Sequence, residues 1–255
     1  MTHNRRRSLL ISPTDAIPEG ARYIEAHFSQ PADWAPVIPG AVLASLENGT
    51  IAAAPSRGIG RFPLPEKEDF AAVLDGWGIT ARTPVVVYAS TADDAKVAAR
   101  AWFVLRSAGV SDVRVLDGGA AGWAARTGAI DVEPAPSSPS PVVAIDGDRA
   151  AVIGATGVLL DARPVSAYDA GRIPGALSAP GADVFRDGYL LPDDELAEWA
   201  APLLPEHDAP IGAYCGGGVA AAGTVFALTV LGRDAGLYAG SWSQWGNDPE
   251  RPVER

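Results

Sequence analysis

One cysteine, Cys215, and one methionine are all the sulfur this 255-residue chain contains. A lone thiol excludes an intramolecular disulfide, a CxxC redox pair and a cysteine-based zinc cluster. The histidines His3, His27 and His207 are scattered and none lies beside a recognisable motif, so neither a metal nor a cofactor is expected. Bases are also in deficit: 20 Lys plus Arg against 31 Asp plus Glu leave a net charge of −11. That argues against nucleic acid and against an anionic membrane as partners. No stretch approaches the ~20 apolar residues of a membrane span. At the N-terminus, Arg5-Arg6-Arg7 is followed only by Leu9-Leu10-Ile11 before Ser12-Pro13, too short for a signal-peptide core. The expectation there is a frayed basic arm running into a first strand. The absence of disulfides fits a reducing, cytoplasmic setting.

Apolar residues make up 47% and charged residues 20%, the balance of a globular protein with a real core. The length suggests two domains. A connector is visible from Asp131 to Pro141, where Pro134, Pro136, Pro139 and Pro141 alternate with Ser and Ala and can supply no core element. It divides a first unit, 9–130, from a second, 142–255.

The two units repeat one another. Val37-Ile38-Pro39-Gly40-Ala41 corresponds to Arg172-Ile173-Pro174-Gly175-Ala176, and Pro84 to Ala89 corresponds to Pro210 to Cys215. Leu116 to Trp123 corresponds to Tyr238 to Trp245. Three matches in one order, at similar separations, imply two copies of one domain. Within each copy, short apolar runs alternate with helical patterns. Strands are expected at Thr83–Ala89, Val113–Leu116, Gly157–Asp161, Pro210–Tyr214 and Gly236–Tyr238, and helices at Ala95–Ala108 and Val219–Leu231. Such alternation predicts an α/β fold, a small parallel sheet flanked by helices in each copy.

In parallel sheets, ligands gather at the carboxyl ends of strands. Cys215 stands at such an end, followed by Gly216-Gly217-Gly218 and the start of a helix. Converging backbone N–H groups and the helix dipole there favour a thiolate over a thiol. Glycines let the backbone approach the sulfur, and the N–H groups of Gly216, Gly217, Gly218, Val219, Ala220 and Ala221 can form a nest for an anion. The equivalent position in the first copy is Ala89, followed by the glycine-free Ser90-Thr91-Ala92-Asp93-Asp94. Only the second copy can do thiol chemistry.

Tandem copies, a lone Cys in a Cys-Gly-x-Gly-Val loop, paired Ile-Pro-Gly-Ala turns and a terminal Gly-Ser-Trp-Ser-x-Trp together resemble the two-domain rhodanese family of thiosulfate and 3-mercaptopyruvate sulfurtransferases. Gly60 to Pro65, Val115 to Gly119 and Leu160-Asp161-Ala162-Arg163 resemble further landmarks of that family. The resemblance implies two tandem rhodanese-like domains and a catalytic Cys215. Its thiolate would take sulfur from a small donor as a persulfide and yield it to cyanide, a thiol or a protein acceptor. Asp161, Arg163, Ser241, Trp242 and Arg61 are the candidates for support or substrate binding. An ion pair is expected between Asp161 and Arg163, and core packing for Trp242 and Trp245. Against the family pattern, Gly217 replaces a serine, Ala220 a threonine and Phe62 a histidine, with Glu47 at the acid position. A cysteine phosphatase would need an arginine where Ala221 and Ala222 stand. A non-catalytic module that binds a partner or senses sulfur species is the alternative reading.

Overall fold

Runs such as Val85-Val86-Val87 need apolar cover on both faces, and the chain supplies it by forming two parallel sheets between helices. The computed structural model describes residues 2–56, 58–126, 142–204 and 209–255. The proline-rich connector 131–141 and His207 lie outside the described residues.

The first unit runs α1 (Thr2–Leu9), β1 (Leu10–Ile11), β2 (Arg22–His27), β3 (Val42–Ser45), α2 (Lys67–Gly76), β4 (Val85–Ala89), α3 (Ala95–Ser107), β5 (Val113–Leu116) and α4 (Gly119–Ala124). The second runs β6 (Val143–Ile145), α5 (Gly147–Thr156), β7 (Val158–Asp161), α6 (Val165–Ala170) and β8 (Ala176–Ser178). A short hairpin, β9 (Phe185–Arg186) and β10 (Tyr189–Leu190), follows, then α7 (Asp193–Ala200), β11 (Ile211–Tyr214), α8 (Ala220–Val230), β12 (Gly236–Tyr238) and α9 (Ser241–Trp245). The sheets have the orders β1-β5-β4-β2-β3 and β6-β12-β11-β7-β8, which is one topology used twice.

The repeat extends to individual hydrogen bonds. Tyr88 on β4 donates to Glu25 at 2.6 Å and accepts the N–H of Ile38 at 3.2 Å. Tyr214 on β11 donates to Asp161 at 2.6 Å and accepts the N–H of Ile173 at 3.1 Å. Both Ile-Pro-Gly-Ala turns need a left-handed glycine, with φ of 81° at Gly40 and 76° at Gly175.

The copies meet through α3 and α8. Trp102 and Phe226 pack edge to face at 4.9 Å. Every residue of α8 from Ala221 to Val230 is buried, so this helix, apolar but for Thr224 and Thr229, is enclosed on all sides. At the N-terminus the expectation of a frayed arm is overturned. Residues Thr2–Leu9 form a helix, anchored because Leu9 and Leu10 are buried and because Arg6 finds partners in both units. The Arg6 guanidinium donates to Asp193 at 3.0 Å, to Asp117 at 3.4 Å and to the carbonyls of Leu190 and Leu191. Among the described residues, no helix is long and apolar enough to cross a membrane.

Candidate active site

β11 ends at Tyr214 and α8 begins at Ala220, so Cys215 to Val219 must turn within five residues. Gly218 makes that turn possible at φ 77°, and its N–H donates to Cys215 Sγ at 3.1 Å. A β-carbon on Gly218 would press within 2.7 Å of the Ala239 carbonyl, so no side chain fits there. Val219 and Ala221 are buried, whereas Gly216 is exposed and Ala220 half-buried. Cys215 itself is only 4% exposed.

The loop is tied to α9. Ser241 is fully buried with φ 53°, a left-handed conformation rare for serine. Its Oγ accepts the N–H of Cys215 at 3.1 Å and donates to the Tyr238 carbonyl at 2.8 Å. The N–H groups of Trp242 and Ser243 donate to the carbonyls of Cys215 and Gly216 at 2.9 and 3.0 Å. Ser241 thus holds the loop backbone, with its hydroxyl committed on both sides.

Beneath the loop lies the Asp161–Arg163 pair. Arg163 Nη2 meets Asp161 Oδ2 at 2.5 Å, and Nε lies 2.9 and 3.0 Å from the two oxygens. A further Nη2 contact reaches the Gly171 carbonyl at 2.7 Å, and the guanidinium lies 4.3 Å from the Trp242 ring centroid. Burial works against the Arg163 charge, but the hydrogen bonds to Asp161 outweigh it and hold the group above its ordinary value. Its charge is thereby matched within the domain. Burial first, then the Asp161 charge, raise Tyr214 well above the usual phenol range.

Above the loop the first domain contributes Arg61 and Phe62. The Arg61 N–H donates to Ser243 Oγ at 2.8 Å, and its exposed guanidinium lies 5.2 Å from the Phe62 ring centroid. Phe62 covers Gly217, where a β-carbon would meet the ring at 3.0 Å. Glu47 is exposed. Two clefts flank the loop: one of about 830 Å³ lined by Arg61, Ser243 and Gln244, and one of about 700 Å³ lined by Ala220, Lys96 and Phe185. Neither is lined by Cys215.

Sequence reasoning missed Arg100. It is completely buried on α3 and reaches across the domain boundary, its Nη1 donating to the Gly218 carbonyl at 3.3 Å. The signal was present: Arg100 stands three residues after Val97, inside the apolar face formed by Val97, Ala98, Ala101 and Trp102.

Comparison with known proteins accords with this geometry. Residues 28–126 and 148–248 both match the rhodanese-like domain. A Mycobacterium tuberculosis protein named as a candidate thiosulfate sulfurtransferase, SseB, is 39% identical over 93% of this chain and 87% of its own length. The 3-mercaptopyruvate sulfurtransferase of Escherichia coli K12 is 34% identical, covering 75% of each chain. The crystal structure of SseA from Escherichia coli, described as a 3-mercaptopyruvate sulfotransferase of rhodanese fold, superposes with a TM-score of 0.71. It is 29% identical over 88% of this chain and 94% of its own. With both copies matched across most of the sequence, the chain belongs to the rhodanese-like domain family, two domains in tandem.

Proposed function

We propose that this protein is a sulfurtransferase that carries a sulfane sulfur on Cys215. The observation that carries the reading is the sulfur's setting. A lone cysteine at a strand end receives the Gly218 N–H at 3.1 Å, and no side chain intrudes from positions 216–218. The sulfurtransferase relatives over most of the chain support it. 3-Mercaptopyruvate and thiosulfate are the donors whose chemistry fits. The Cys215 thiolate attacks the outer sulfur of thiosulfate, the S–S bond breaks, and sulfite leaves with the electron pair. With 3-mercaptopyruvate the C–S bond breaks instead, and the pyruvate enolate leaves and takes up a proton. A thiophilic acceptor such as cyanide or a thiol then attacks the outer sulfur and returns the Cys215 thiolate. Negative charge on the Cys215 sulfur, before attack and after release, faces the Gly218 N–H, a donor already aimed at Sγ that needs no reorganisation. Cys215, the loop Gly216 to Ala221 and Ser241 are the machinery. Asp161, Arg163 and Trp242 support it from below, and Arg61 sits at the cleft.

The test is cyanolysis with each donor. Intact protein should release thiocyanate and Cys215→Ala should release none. Mass spectrometry should find a gain of ~32 Da on Cys215 that cyanide discharges. Failure of both donors to give either signal would leave a module that binds a partner or senses sulfur species.

A further inference from the structure

Arg100 is a buried cation without an anion. Its Nε donates to the Ile51 carbonyl at 3.3 Å, its Nη2 to the carbonyls of Phe62 and Pro63 at 2.9 and 3.1 Å, and its Nη1 to Gly218. Among the described residues none of these partners is a carboxylate. Carbonyls satisfy the N–H groups but do not neutralise the charge, and an unneutralised charge in a core is costly. The other buried arginines differ in this respect: Arg163 pairs with Asp161 and Arg114 with Asp112. One residue separates Arg100 from the sulfur: Gly218, whose carbonyl accepts Arg100 Nη1 at 3.3 Å, gives its own N–H to Cys215 Sγ at 3.1 Å.

We propose that Arg100, supplied by the non-catalytic domain, is the counter-charge for the anionic sulfur of Cys215 and the anchor of the turn that presents the Gly218 N–H to it. It is a positioning residue, since Gly218 stands between it and the sulfur. Holding the Gly218 carbonyl fixes the left-handed turn, while the guanidinium charge favours a thiolate or persulfide anion over the neutral form. A β-carbon on Gly218 would fall 3.1 Å from Arg100 Nη1, so the glycine also admits the arginine. Burial lowers the guanidinium to about 10 and the Cys215 charge acts in the opposite direction, so the cation persists at neutral pH. The other charged groups around the loop leave this role open. Asp161 and Arg163 neutralise one another, Arg61 is exposed over Phe62, and Lys96 on α3 points its ammonium at the Asp93 carbonyl. The inference rests on the sulfurtransferase reading only in extending from the thiolate to the persulfide.

The experiment compares Arg100→Lys, which keeps the charge, with Arg100→Gln, which keeps a donor without it. Iodoacetamide alkylation of Cys215 is followed against pH. Arg100→Gln should shift the midpoint of the profile upward and slow alkylation on the acid side of that midpoint about tenfold, the equivalent of one pH unit, while Arg100→Lys restores most of the rate. Wild-type profiles in both variants would overturn the proposal, and so would equal losses in both, which would mark a geometric anchor only. A second comparison leaves Arg100 intact. Cys215→Asp should melt at a higher temperature than its isostere Cys215→Asn, because the carboxylate gains a buried cation, and the reverse order would overturn the counter-charge. Alkylation and melting need no sulfur donor, so both remain readable if cyanolysis fails.

Discussion

Phe62 of the first domain and Gly217 of the second occupy each other's space: a β-carbon on Gly217 would stand 3.0 Å from the phenyl Cδ2 and 3.3 Å from Arg61 Cβ. The Phe62 ring therefore limits what side chain the loop can carry at position 217. Gly217→Ser should destabilise the protein by roughly 1–3 kcal/mol through overpacking. In Phe62→Ala the same substitution should cost markedly less, giving a coupling of about 1 kcal/mol in a double-mutant cycle measured by urea denaturation. Additive losses would show that the ring does not set the loop's side-chain limit.

Asp161 and Glu25 hold equivalent places, but their partners differ. Removing the Asp161 charge leaves the Arg163 cation buried and unpaired, whereas the side-chain partners of Glu25 are His27 at 2.9 Å and the Tyr88 hydroxyl at 2.6 Å, with no arginine among them. Asp161→Asn should cost about 3–5 kcal/mol in equilibrium denaturation. Glu25→Gln should cost clearly less, and equal losses would contradict the distinction.

Ser241→Ala removes the acceptor of the Cys215 N–H. An unpaired N–H at this depth should cost roughly 1–3 kcal/mol of stability. Thiocyanate formation should fall as well, because the peptide that carries the sulfur loses its tether. A variant with full activity and an unchanged melting temperature would remove Ser241 from the machinery.

Three buried phenols make the fold sensitive to alkali. Burial raises Tyr88 and Tyr214 well above the ordinary phenol range and pushes Tyr238 up to about 12. The unfolded chain releases these protons near pH ~10, earlier than the folded protein does, so their contribution is fully present below that pH and is lost as pH rises through the folded values. Denaturation midpoints should be level with respect to these groups from pH 7 to 9 and fall steeply beyond 10. Tyr214→Phe should flatten part of that fall.

Much of this was legible in the residues. The helix expected at Ala95–Ala108 is α3, Ala95–Ser107, and the strand expected at Val113–Leu116 is β5 as it stands. The strand-end cysteine was readable because chain position fixes it. Contacts between the copies were not. Phe62 and Gly217 are far apart in sequence. Arg100 stands out on the apolar face of its helix, but its partner Gly218 emerges only when α3 is set against α8. The N-terminal helix escaped notice for the same reason, since its anchor Arg6 bonds to Asp193 in the other unit. Pattern along one chain reports local geometry, whereas partner choice across an interface depends on how the copies dock.

The helix that follows the sulfur loop is buried on every side, and α3 of the other copy is what it leans on. The cysteine-free copy is thus an inner wall for the other, so a chain shortened to the cysteine-bearing half would lay α8 open to water and lose Arg100.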